Sequence, residues 1–208
     1  MERARERLFK SLRRQGKWKA ALDAMARVPR ELFVPEESRP QSYEDIPLPI
    51  AEGQTISQPY IVALMTHALD VRPGDRVLEL GTGSGYQAAI LSLMARKVYT
   101  VERVASLAES ASALLRSLGY GNVEVHKAGR ELGLPEQAPF DAIVVTAAAP
   151  RLPRSLMEQL AVGGRLVIPV GSQHEQWLMK VVRKKGGYAT SSLGSCRFVP
   201  LLGKDAWS

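Results

Sequence analysis

From Arg76 onward, short apolar and β-branched runs alternate with stretches of helical spacing, and this alternation limits the fold more than any other feature. The runs are Arg76–Leu80, Lys97–Glu102, Asn122–Lys127, Phe140–Thr146, Arg165–Val170, Gln176–Arg183 and Ser195–Leu201. Helices are expected over Pro59–Leu69, Tyr86–Ala95, Val104–Leu118 and Pro153–Leu160, the last opened by a residue suited to that position. Strands joined through helices run parallel and are covered on both faces. Two consecutive strands near the end, with a turn at Gly186-Gly187, predict an antiparallel edge. The expected fold is α/β: a doubly wound, mostly parallel, seven-stranded sheet with N-terminal helices and an antiparallel C-terminal edge.

Before that pattern, Leu8, Leu12, Ala21, Leu22 and Met25 recur at near-helical spacing, and Gly16 divides them into two short helices. Val34 to Gln54 is rich in Pro and Gly but carries Ile46, Leu48 and Ile50, which predicts an ordered irregular loop packed on the core. Long structured loops of this kind tend to be functional. The net charge of +7 raises nucleic acid or an anionic surface as a partner. Much of the excess lies in the first helix, from Arg3 to Lys19, with Glu2 and Glu6 interleaved, and reads as a solvated face. The lone Cys196 cannot form an intrachain disulfide, and the charged N-terminus lacks the apolar stretch of a secretory signal. No apolar run approaches the roughly 20 residues that span a bilayer. A cytoplasmic location with no membrane partner is therefore expected.

Gly81-Thr82-Gly83-Ser84-Gly85 follows one strand and opens a helix. Glycines there permit a tight turn and close approach of a ligand to backbone N–H groups. Glu102, about twenty residues on at the end of the next strand, is placed to accept the hydroxyls of a ribose. The spacing is G-x-G-x-G rather than the G-x-G-x-x-G of dinucleotide binders. Glu79, two residues before the first glycine, would repel a pyrophosphate and attract a sulfonium or ammonium group. A cationic amino-acid nucleoside fits these residues better than a nicotinamide dinucleotide.

Glu79 to Ala89 resembles the first motif of the protein-L-isoaspartate O-methyltransferases. The same family is matched by Asp45–Ile50, Gly53–Ser57, Ala138–Ile143, Thr146–Pro150, Gly163–Gly171 and Phe198–Leu201. The most specific stretches are Gln54-Thr55-Ile56-Ser57 and Val199-Pro200-Leu201. The resemblance implies a single methyltransferase domain over residues 1–208, of Rossmann-like fold. Residues 1–54 would supply the N-terminal helices and substrate loop, and residues 55–208 the cofactor-binding core. It implies S-adenosyl-L-methionine as cofactor, held by Thr55, Ile56, Glu79, Gly81, Thr82, Gly83, Ser84, Gly85, Glu102 and Gly129. Ser57 falls on the family's essential serine, and Val199, Pro200 and Leu201 are expected to offer backbone groups to an isoaspartyl peptide. The implied reaction methylates the α-carboxylate that an isoaspartyl linkage leaves free. The ester then cyclises to a succinimide that hydrolyses partly to normal aspartate.

A carboxylate is ionised at neutral pH, so this transfer needs no strong base. His67, His126 and His174 lie near no motif and read as structural or surface residues, and no metal is expected. Ser57 is expected to orient the carboxylate, with capping of the helix at Pro59 as the alternative. Where the family has Gly-Asp-Gly after the third strand, this chain has Ala128-Gly129-Arg130, which predicts weaker adenine recognition unless Glu131 or Glu124 substitutes. Two rival readings are a nucleic-acid methyltransferase and a binding protein with a degraded cofactor site. The turn Thr146–Pro150 lacks the Asn/Asp-Pro-Pro-aromatic pattern of amino-group methylation. Damaged proteins and peptides are thus the expected partners, nucleic acid is not, and a monomer is expected.

Overall fold

The computed structural model describes residues 1–207. Helix α1 (Glu2–Gln15) buries Leu8, Phe9 and Leu12 and leaves its basic face to solvent. Gly16 ends it, and α2 (Lys19–Met25) buries Ala21, Leu22, Ala24 and Met25. A 3-10 turn (Arg30–Phe33) leads into the Pro-rich loop, which forms two more (Glu36–Gln41 and Ala51–Gly53) and ends in a small hairpin of β1 (Leu48–Pro49) with β2 (Thr55–Ile56). The chain then runs through α3 (Pro59–Leu69), β3 (Arg76–Leu80), α4 (Tyr86–Ser92), β4 (Lys97–Glu102), α5 (Ala105–Ser117) and β5 (Val123–Lys127). It continues with β6 (Phe140–Val145), α6 (Arg154–Glu158), β7 (Leu160–Gly171), β8 (Gln176–Lys184) and β9 (Gly187–Cys196).

The seven strands β3 to β9 form one sheet in the order β5-β4-β3-β6-β7-β8-β9. β5 through β7 are parallel, and β8 and β9 complete an antiparallel edge. Progress along the chain is outward from β3 to β5, then back to β6 on the other side of β3. That reversal leaves a crevice at the carboxyl ends of β3 and β6, where open α/β sheets take ligands. The central strands are buried on both faces: Leu78, Ile143 and Val144 are fully enclosed. Burying one such side chain contributes roughly 1.5–3 kcal/mol. One face of the sheet is covered by α3, α4 and the N-terminal helices, and the other carries a cluster around Phe140, Leu156, Leu160 and Leu166. Arg165 on β7 ties α3 to the sheet: its guanidinium donates to the Leu69 and Asp70 carbonyls and pairs with Asp75 at 2.5 Å.

Two boundaries differ from expectation. The last strand is Gly187–Cys196, not Ser195–Leu201. It follows a Lys185-Gly186 turn directly, one residue earlier than the expected Gly186-Gly187, and pairs with β8 from Lys184↔Gly187 to Gln176↔Cys196. Most of it is exposed and polar, as at Thr190, Ser191 and Ser192, so it lacks the apolar pattern that marks a buried strand. The apolar Phe198–Leu201 stretch instead leaves the sheet and packs beside the crevice. Gly163-Gly164 lies inside β7, which begins at Leu160, rather than in a turn before it. A methyl group on Gly164 would lie 2.8 Å from the Ala161 carbonyl, so backbone irregularity there requires glycine. No helix among the described residues is long and apolar enough to cross a membrane.

Candidate active site

The turn after β3 is shaped by glycine where nothing else fits. Gly81 has φ +95°, and a methyl group on it would fall 2.2 Å from Thr146 Oγ1. That hydroxyl donates to the Leu80 and Gly81 carbonyls, at 3.0 and 2.8 Å, and ties the turn to the end of β6. Gly85, at φ +87°, begins α4 and lies against Leu115 of α5, so it serves helix packing and does not line the crevice.

Two carboxylates flank the turn in different surroundings. Glu102 Oε2 accepts the Gly83 N–H at 2.9 Å, and its Oε1 accepts the Arg103 and Val104 N–H groups at 2.8 and 2.9 Å. It therefore satisfies the start of α5, which has no side-chain cap from Val104. Three of its roughly four acceptor positions are occupied, fewer free than the sequence suggested for two ribose hydroxyls. Glu79 is fully buried inside β3. Its Oε2 accepts the Thr100 hydroxyl at 2.6 Å, and Thr100 Oγ1 also lies 2.7 Å from Thr82 Oγ1. Glu79 Oε1 has no partner among the described residues. Burial, reinforced by the charge of Glu102, pushes its pKa up to about 8 against the opposing hydrogen bond from Thr100.

The β1–β2 hairpin lies over the turn. Leu48 pairs with Ile56 and Pro49 with Thr55, and the Ile50 methyl lies 3.6 Å from the position of a Cβ on Gly83. At the tip, Glu52 accepts the Ser106 hydroxyl at 2.7 Å, tethering the hairpin to the start of α5. Ser57 follows β2 directly. Gln58 occupies the N-cap of α3, and Asp45 takes the Tyr60 N–H at 2.8 Å, so the helix start is satisfied without Ser57. The Ser57 hydroxyl makes no hydrogen bond among the described residues, and its carbonyl accepts from Arg30 Nη2 at 2.9 Å. Arg30 is 1% exposed and stacks over Tyr86, with its Cζ 5.0 Å from the ring centroid.

These elements enclose two connected spaces. A small pocket of about 50 Å³ is lined by Thr55, Ile56, Ser57, Glu79, Gly81–Ser84 and Tyr86. A larger cleft of about 470 Å³ shares Thr55, Gly81, Gly83 and Thr146 with it and extends past Glu102 and Gly129 to Val199–Gly203. Of the residues expected from sequence, only Gly85 stands outside both. Val199, Pro200 and Leu201 line the large cleft, yet much of their backbone is engaged. The Val199 carbonyl accepts the Ala148 N–H, the Leu201 N–H donates to the Ala148 carbonyl, and the Leu201 carbonyl accepts the Trp207 N–H. The Val199 N–H and Pro200 carbonyl have no partner among the described residues.

Glu131 lines the cleft and pairs with the exposed Lys204 at 2.9 Å. Glu124 on β5 pairs with Lys97 of β4 and with its strand neighbour His126, and does not line the cleft, so it cannot substitute there. Sequence reasoning missed Thr146 as a site residue, Gln159 and Arg30. Gln159 is buried and accepts the Leu134 N–H while donating to the Leu132 carbonyl, which fixes the segment forming one wall. Gln159 follows the mostly polar helix Arg154–Glu158 and carried no local signal. For Arg30 the available signal was a cation set between Val28 and Phe33-Val34. Among the described residues no three His, Cys, Asp or Glu side chains gather to hold a metal ion.

The same architecture recurs in known proteins. The family model for protein-L-isoaspartate(D-aspartate) O-methyltransferase matches residues 2–206. A protein-L-isoaspartate O-methyltransferase from Roseiflexus castenholzii is 56% identical over 187 residues, 90% of this chain and 86% of that one. The Geobacter metallireducens protein of that name is 50% identical over 207 residues, 98% of this chain and 96% of that one. A solved protein-L-isoaspartate O-methyltransferase superposes with a TM-score of 0.84 at 30% identity, over 97% of this chain and 67% of that one. A Plasmodium falciparum structure described by the same activity, in complex with S-adenosyl-L-homocysteine, gives 0.82 at 26% identity, over 96% and 99%. Matched over residues 2–206 and superposing on such a structure over nearly its whole length, this chain belongs to the protein-L-isoaspartate(D-aspartate) O-methyltransferase family.

Proposed function

We propose that the chain transfers the methyl group of S-adenosyl-L-methionine to the free α-carboxylate of L-isoaspartyl residues in damaged proteins, with Ser57 orienting that carboxylate. One observation carries the reading: Ser57, whose hydroxyl is unbonded, and Glu79, whose buried Oε1 has no partner among the described residues, line one small pocket, which opens into a cleft of nucleoside size. When bound, the cofactor supplies an electrophilic methyl group on a cationic sulfur.

Its amino-acid end fits the Glu79 end, where a buried acceptor lacks a donor. Its ribose fits Glu102, whose remaining acceptor position takes one hydroxyl; a second requires sharing with Gly83 N–H. Thr55 and Ile56 form the roof on the pocket side. Ser57 donates a hydrogen bond to one carboxylate oxygen and leaves the other aimed along the line of displacement. No residue has to remove a proton. Opposite charges are neutralised, so the chain's task is to exclude water and hold the angle. The Val199 N–H and Pro200 carbonyl are the backbone groups available to bind the peptide in an extended form.

The test is methylation of a synthetic isoaspartyl peptide beside its aspartyl twin, with wild type and Ser57→Ala. Wild type labels only the isoaspartyl peptide. Ser57→Ala loses roughly 10- to 100-fold in kcat/KM, the value of one hydrogen bond to a charged group, while S-adenosylhomocysteine binds unchanged. Equal labelling of the two peptides overturns the substrate assignment. Turnover of Ser57→Ala within about threefold of wild type overturns the role of Ser57.

A further inference from the structure

Arg30 is the one buried charge near the crevice to which the proposed reaction assigns no role. It lies in the 3-10 turn before the Pro-rich loop and is 1% exposed. One nitrogen, Nη2, donates to the Ser57 carbonyl. The guanidinium faces the Tyr86 ring, and Ser57 and Tyr86 are both walls of the small pocket. Nε and Nη1 are buried with no hydrogen bond of good geometry among the described residues, although the neutral Tyr86 hydroxyl lies close enough to act on the guanidinium. Among the described residues no carboxylate completes an ion pair with it. Asp45 lies close enough to influence it, but its Oδ1 is occupied by the Tyr60 N–H. Glu31, next in sequence, accepts the Tyr43 hydroxyl.

A buried cation without a counter-ion is unfavourable, and neither a carbonyl nor an aromatic face supplies a full negative charge. The place where one arrives is the pocket at Ser57, on the other side of the group Arg30 holds. In a water-poor pocket the attraction across that short span is several times its value in water. We propose that Arg30 is a positioning residue for methyl transfer: it fixes the Ser57 backbone and provides the positive field that draws the substrate carboxylate to that serine. The inference rests on the reading of Ser57 given above. The ester product has lost the charge that Arg30 attracts, so the same guanidinium that favours substrate favours departure of product.

The test uses dead-end binding as well as turnover. With S-adenosylhomocysteine present, the affinities of an isoaspartyl peptide and of its α-methyl ester are measured for wild type, Arg30→Met and Arg30→Lys. Wild type prefers the carboxylate by at least about tenfold, and Arg30→Met brings the two within about threefold. Arg30→Lys keeps the preference, because it keeps the charge, but loses about tenfold or more in kcat, because an ammonium cannot reproduce the planar donor set. S-adenosylhomocysteine affinity stays within about threefold of wild type in both variants. The proposal is overturned if Arg30→Met keeps the carboxylate preference while its thermal midpoint and S-adenosylhomocysteine affinity fall, which would make Arg30 a strut only. It is also overturned if wild type shows no preference. Should Arg30→Met not fold, Arg30→Lys decides alone: loss of the preference, or wild-type kcat, overturns it. A wild type that binds no isoaspartyl peptide sinks the substrate assignment itself, a distinct failure.

Discussion

Replacing Glu79 by Gln isolates the most unusual titratable group in the crevice. In the folded chain its pKa is pushed from 4.5 to about 8, chiefly by burial. A folded value above the unfolded one fixes the sign. Below pH about 4.5 both states hold the proton and the contribution is complete; it is lost as pH rises toward 8, while the unfolded chain ionises and the folded chain does not. Each tenfold step in that equilibrium is about 1.4 kcal/mol, so wild type loses on the order of 3–4 kcal/mol between pH 5 and pH 8 from this group. For a chain of this size that is roughly 10 °C in thermal midpoint. Gln retains a carbonyl for the Thr100 hydroxyl but buries an amide with no acceptor, a constant cost of about 1–3 kcal/mol that does not change with pH. The comparison is therefore of slopes. Denaturant unfolding at several pH values from 5 to 8 gives a wild-type stability that falls more steeply than that of Glu79→Gln by the stated amount. Binding of S-adenosylmethionine, followed by calorimetry at pH 7 in buffers of different ionisation enthalpy, releases up to about one proton from wild type and none from the variant. Parallel stability curves for the two proteins, or equal proton release, would refute the reasoning.

Three further outcomes follow from the same contacts. Glu102→Gln aims an amide N–H at one or more of the Gly83, Arg103 and Val104 donors, so it lowers the thermal midpoint and weakens cofactor binding at least about tenfold, read by thermal shift and calorimetry. Gly81→Ala collides with Thr146 Oγ1 and forces a residue with a Cβ to φ +95°; a loss of about 2 kcal/mol or more in unfolding free energy is expected, and Thr146→Ala in the same chain restores part of it. Gly129→Asp meets no atom within 4 Å at its Cβ, and it returns an acceptor to the adenine end of the cleft; S-adenosylhomocysteine then binds about tenfold more tightly by calorimetry.

The fold was legible where chemistry and period agree. β3, the glycine turn and α4 announce themselves because a strand buried on both faces, followed by Gly81-Thr82-Gly83-Ser84-Gly85, has few other solutions. Glu102 was legible because it ends the adjacent strand. β9 was not, because an exposed edge strand carries polar residues on both faces and follows no apolar alternation. The β1–β2 hairpin was also out of reach: two-residue strands are shorter than the pattern that would reveal them, and Leu48–Ile56 read as irregular chain. Capping by Ser57 was a fair alternative from spacing alone. It lost to Gln58 and to Asp45, a residue 15 positions from the amide it satisfies. Long-range polar contacts such as Gln159 to Leu132 and Leu134 leave no local signature, and the same holds for Arg30 and Ser57, 27 residues apart.

The distribution of charge in the crevice follows from what the reaction requires. A sulfonium and a carboxylate annihilate their charges as the methyl group moves, so any group that binds either ion strongly in the ground state raises the barrier unless it also fixes geometry. The cofactor's ammonium keeps its charge through the transfer, so an acceptor for it at Glu79 holds ground state and transition state alike. Burial favours the protonated form of Glu79 until a cation arrives, which tempers the hold on the cofactor. On the other side of Ser57, the cation is not exposed to the substrate but set behind a backbone carbonyl, where it attracts a carboxylate without locking it into a salt bridge. The residues that complete the site are correspondingly neutral: the hydroxyls of Ser57 and Thr146, the Ser84 N–H, which alone in the glycine turn has no partner among the described residues, and the Val199 N–H and Pro200 carbonyl. A search for paired acids and bases therefore passes over this site, because the reaction asks its residues for alignment rather than proton transfer.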